Sequence, residues 1–160
     1  MPGKHGRNRL ENYLQVHESY MATFREEGFV VHDGCAFTIL GKVVLLEGTI
    51  TCLDGIVIEV RKEIDVLSGR GGSAWVRTRS FCYHAGLRGG ETILRYDSPH
   101  GHRPYHHKHT YDTFGDGREL AIEELRSERE VPTLGEVIRE LQGWHQQNAA
   151  HLARQRGSGQ

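Results

Sequence analysis

The sequence predicts an α+β domain, an antiparallel sheet of four to five strands packed against an N-terminal and a C-terminal helix. Apolar residues recur at helical spacing near both ends of the chain and alternate with polar ones through its middle. The turns between the alternating runs are too short for crossover helices, so neighbouring strands run antiparallel. At 160 residues, 37% hydrophobic and 26% charged, the chain fits one domain with its own core. That domain is expected over residues 1–150, with 151–160 as a flexible tail.

The elements follow in order. Leu10, Tyr13, Leu14, His17, Met21 and Phe24 trace one stripe and predict a helix over 10–27, stopped by Gly28. Residues 29–40 are mixed and hold Asp33-Gly34, a turn signal. A strand over 43–51 leads to Asp54-Gly55, a strong hairpin dipeptide. Beyond it Ile56, Ile58, Val60, Ile64 and Val66 take one face, and Glu59, Arg61, Glu63 and Asp65 the other. Gly69-Arg70-Gly71-Gly72 reads as a flexible connection, since a phosphate-binding loop would need a following lysine and helix.

A third strand is expected over 75–84 and a fourth over 91–97, joined by a loop at 86–90. Arg77 and Arg79 are read on one face with Trp75, Phe81 and Tyr83, either binding nucleic acid or lying under a helix. The charged segment 118–129 reads as a weakly patterned helix. Thr133-x-x-Glu136 is a capping box, and Leu134, Val137, Ile138, Leu141 and Trp144 continue it as the apolar stripe of the last helix.

The net charge of −1 leaves no basic field over the whole protein, so nucleic-acid binding would need a local patch. Three cysteines without a C-x-x-C pair read as reduced thiols of a cytoplasmic protein. No apolar run is long enough for a membrane span.

The strongest compositional feature is the segment from Arg95 to His109, R-Y-D-S-P-H-G-H-R-P-Y-H-H-K-H. Five of the eleven histidines fall between His100 and His109, where an even spread would place about one. Arg95 and Asp97 share a face by strand alternation, and Pro99, Gly101 and Pro104 force a turn. If residues 105–109 are extended, Tyr105, His107 and His109 face one way and His106 and Lys108 the other. One reading is metal-independent RNA cleavage, with two imidazoles moving protons and cationic groups steadying the phosphate. A second is a metal site at His100 and His102, or at His107 and His109, although no strong ligand template is matched. A third is a solvated loop that tunes solubility or oligomer contacts.

These motifs, R-Y-D-S-P-H (Arg95, Tyr96, Asp97, Pro99, His100) and P-x-H-H-K-H (Pro104, His106, His107, Lys108, His109), resemble those of the TumE-like toxins of toxin–antitoxin systems. That family is loosely likened to RelE/ParE-type toxins. The resemblance covers about residues 41–111, and Ser98 stands where the family pattern has asparagine. It implies a toxin partnered by a small helix-turn-helix antitoxin, with RNA as a candidate target.

The leading expectation is therefore a toxin acting as a ribonuclease without a cofactor. His107 and His109 would transfer protons, Arg95 and Lys108 would contact phosphate, and Asp97 would orient a histidine or Arg95. Tyr96, His100, Arg103, Tyr105 and His106 would line the substrate, with the two tyrosines stacking on bases. The competing expectations are a non-enzymatic binding module, which includes a homo-oligomer, and a histidine-ligated metalloprotein.

Overall fold

Asp54 and Gly55 set the central hairpin. In the computed structural model, which describes residues 8–68, 74–101 and 103–158, both take positive φ, 55° and 80°. Two consecutive left-handed residues match the right-handed twist of flanking strands, and Asp-Gly reaches that conformation at low cost. The turn joins β4 (Val43–Cys52) to β5 (Ile56–Ser68). The meander continues through β6 (Ala74–Leu87) and β7 (Thr92–Asp97).

Before and after this meander the chain adds more strands than the sequence predicts. They are β1 (Asn8–Arg9), β2 (Val30–Asp33), β3 (Ala36–Leu40), β8 (His106–Tyr111) and β9 (Glu119–Leu125). Among the described residues the sheet runs in the order β2-β4-β5-β6-β7-β8-β9, with β3 also on β4 and β1 on β6. Every pairing is antiparallel. β2 and β3 share one edge of β4 because Gly48 has no side chain. A Cβ there would come 2.3 Å from the Gly34 carbonyl oxygen, where the chain turns between the two short strands.

Two helices cover one face of the sheet. Helix α1 (Leu10–Glu26) ends at Gly28, φ 77°, and buries His17, Met21 and Phe24. Helix α2 (Leu134–Ser158) begins where the Thr133 hydroxyl accepts the Glu136 N–H at 3.2 Å, the cap the sequence predicts. Its Leu134, Val137, Ile138 and Leu141 enter the main core beside Ile50, Ile58, Tyr83 and Tyr96. The expected tail instead continues α2 through residues 151–158, with Leu152 buried. No described helix is long and apolar enough to cross a membrane.

Two other expectations change. Residues 119–125 form a strand, because the open edge of β8 offers a full ladder to a segment whose helical pattern was weak. A bulge at Arg79 also reverses the phase of β6. Glu63 pairs with Ser80 and Ile64 with Thr78, so Val76 lies inward before the bulge, and Phe81 and Tyr83 after it. Arg79 binds Asp65 at 2.6 Å, and no single face carries Arg77, Arg79, Trp75, Phe81 and Tyr83 together. Gly69–Gly72 lie outside the described residues.

Candidate metal centre

The outward face of β7 and β8 carries the candidate site. Arg95 stands opposite His109 and Asp97 opposite His107, and directly opposed residues share a face. The residues between them point to the helices. Tyr96 donates its hydroxyl to Glu140 of α2 at 2.6 Å, and the Lys108 ammonium binds the same carboxylate.

Both imidazoles are held through Nδ1. His107 Nδ1 donates to the Tyr105 carbonyl at 3.1 Å, and His109 Nδ1 to the Glu119 carboxylate. A neutral ring that donates from Nδ1 keeps its lone pair on Nε2. Both Nε2 atoms face Asp97 Oδ2, from 3.6 Å for His107 and 3.5 Å for His109. The three potential ligand atoms lie within 4.8 Å of one another. Asp97 Oδ2 and His107 Nε2 are buried and make no hydrogen bond among the described residues.

With both rings neutral, the three atoms turn lone pairs toward one another and repel, and burial strengthens that repulsion. A cation between them reverses its sign. Two donors 2.1 Å from one tetrahedral ion stand about 3.4 Å apart, close to the two measured separations. Two imidazoles and a carboxylate, with each outer ring nitrogen given to a carbonyl or carboxylate, form the ligand set and outer shell of many transition-metal sites.

The surroundings fit an anionic substrate. Arg95 Nε donates to Asp97 Oδ1 at 3.0 Å and lies 2.9 Å from Oδ2, while its side chain stays 42% exposed. Beside it a depression of about 270 Å³ is lined by Glu59, Arg61, Cys82, His84 and Arg95. A second, of about 400 Å³, shares Glu59 and His84 with it and reaches the 87–91 loop. Cys82 stands opposite Asp97 across the ladder. Burial, reinforced by the Asp97 carboxylate, pushes its thiol up to about 11, so it is a neutral neighbour at pH 7.

The sequence-predicted residues separate into groups. Asp97, His107, His109 and Arg95 come together as described. His100 joins them at the rim, its ring edge-on to His107 at 4.9 Å, while its backbone pairs with Arg103. Tyr96, His106 and Lys108 do not join them. Tyr96 is a core residue, so it cannot stack on a base, and the Lys108 ammonium lies over its ring at 5.4 Å. His106 stacks on Phe81 at 5.3 Å. Tyr105 lies under Arg126 beside a separate cleft of about 340 Å³ formed with Pro99, Pro104 and Arg79. His102 lies outside the described residues.

Glu119 and Glu140 are the two functional neighbours that sequence reasoning missed. Each sits in a charged or helical segment with no local pattern to single it out. Against known proteins, the chain matches no family model, no curated protein and no solved structure.

Proposed function

We propose that Asp97, His107 and His109 hold one divalent transition-metal ion, and that the chain uses it to cleave RNA phosphodiester bonds. The observation that carries this reading is the convergence of two imidazole Nε2 atoms on Asp97 Oδ2, with neither that oxygen nor His107 Nε2 hydrogen-bonded among the described residues. His107 is 1% exposed, so its Nε2 is poorly placed to exchange a proton with a substrate and well placed to bind an ion. The mixed nitrogen and oxygen set suits zinc, iron or manganese.

A bound ion would supply a Lewis acid and an activated water. The chain's own groups do the remaining work. Arg95, held on Asp97, and Arg61, two strands away on β5 and paired with Glu47, both line the adjoining depression and would offer charge to a phosphate. Glu119 fixes the His109 ring, and the depression beside Arg95 and the larger one adjoining it leave room for a substrate next to the ligands. The likeness of Arg95–His100 and His106–His109 to TumE-like toxins supports the biological setting, a cytoplasmic toxin held by a helix-turn-helix antitoxin.

The test is metal analysis and RNA cleavage on protein purified without a histidine tag. One ion per chain, lost in Asp97→Ala, with cleavage that chelator removes and added metal restores, is the expected result. Cleavage that survives chelation would instead assign His109 to metal-free acid–base chemistry. Absence of both metal and cleavage would leave a binding module.

A further inference from the structure

On the other side of the sheet, β5 carries one residue that breaks its inward apolar series. Ile58, Val60 and Ile64 are buried there, and Lys62 is buried among them, 6% exposed. Its cross-strand neighbours are Leu46 and Phe81. Long charged side chains reach such positions only when the ammonium finds a partner or the stem leads it to water. Here Nζ lies 5.0 Å from the Tyr13 ring centroid, and among the described residues it has no hydrogen bond or ion pair.

The ammonium lines a cavity of about 130 Å³ between α1 and the start of α2, walled by Tyr13, Val16, Tyr20 and Leu134. Among the described residues no carboxylate lines it. The carboxylate that faces His17, one of the lining residues, is already engaged, because Asp33 accepts the Cys35 N–H at 2.9 Å and lies 3.3 Å from His17 Nε2. His17 in turn meets the Tyr20 hydroxyl at 2.7 Å. Burial pulls the Lys62 amine down to about 8, which still leaves it mostly charged at pH 7. Among the described residues the pocket therefore holds a buried cation, two aromatic walls and no anion.

We propose that this cavity is a binding site for a small carboxylic acid with a flat apolar body, its carboxylate paired to Lys62 and its body against Tyr13 and Tyr20. A charge-assisted hydrogen bond to the buried ammonium is the interaction that no described residue supplies, and a cavity of about 130 Å³ limits the apolar body to a small one. The site lies on the helix-covered face, so it is independent of the metal reading.

The experiment is an NMR titration of the full chain with benzoate and with benzyl alcohol, on wild type and on Lys62→Met. Benzoate should shift resonances of Tyr13, Val16 and Tyr20 in the wild type, with benzyl alcohol binding about tenfold more weakly or not at all. Lys62→Met should lose the preference for benzoate while keeping the dispersed spectrum of a folded protein. Equal binding of acid and alcohol by the wild type overturns the proposal, and that comparison needs no variant. Benzoate shifts that survive Lys62→Met, or that map to another surface, overturn it as well.

Discussion

Residues 106–109 serve two faces of one sheet, and the two faces use the same residue types for different ends. His107 and His109 turn outward, where their free ring nitrogens converge on Asp97. His106 and Lys108 turn inward, where one stacks on Phe81 and the other binds Glu140. A histidine-rich stretch is therefore not one site. Strand alternation divides it into a polar constellation gathered on Asp97 and a pair of side chains engaged on the helix-facing side.

The largest effect should come from the outward face. Asp97→Ala should weaken metal affinity by more than about 100-fold, beyond the usual range for an outer-shell change, as read by calorimetric titration. Metal affinity equal to wild type would remove the distinction between the faces.

The next effect belongs to the inward face and to Lys62. Its folded-state amine titrates near 8 against an ordinary 10.5, so between these values the unfolded chain binds more protons. The destabilisation is complete below pH 8 and fades as pH rises toward 10.5. Lys62→Met should therefore be more stable than wild type by up to about 3 kcal/mol at pH 7, and the gap should close with rising pH. The difference between the two proteins is the quantity to measure by urea unfolding. The buried thiols and tyrosines also titrate above their ordinary values, and their contribution cancels in that difference.

Smaller effects sharpen the contrast. Tyr96→Phe removes a hydroxyl bonded to a carboxylate and should cost about 2 kcal/mol in unfolding free energy while leaving metal affinity unchanged. Lys108→Met should cost about 1 kcal/mol or less, since its ion pair with Glu140 is partly exposed. RNA cleavage by Lys108→Met at the wild-type rate would separate it from the outward group. A loss of cleavage with stability intact would return Lys108 to the site.

Much of this arrangement was legible in the sequence. Alternation through Ile56–Val66, the Asp54-Gly55 turn and the Thr133 cap each depend on neighbours a few residues away. Alternation also placed His107 with His109, and Arg95 with Asp97. What it could not give was the register that brings the two pairs together, because pairing of β7 with β8 is set across an irregular loop. The bulge at Arg79 was hidden for a related reason, since one extra residue leaves composition unchanged and reverses every side chain beyond it. β9 was misread because its pairing to β8, rather than its own weak pattern, makes it a strand. With that strand misread, Glu119 had no place beside His109.

The Asp54 turn has a consequence for the order in which the chain can finish folding. Its carboxylate binds His145 at 2.7 Å and Arg156 at 2.6 Å, both on α2. The hairpin closes from local chemistry, yet its tip is fastened by a helix whose His145 lies 91 residues further along the chain. A nascent chain thus carries an assembled meander with an open helix-facing side until α2 arrives. Docking of α2 is the step that closes the molecule.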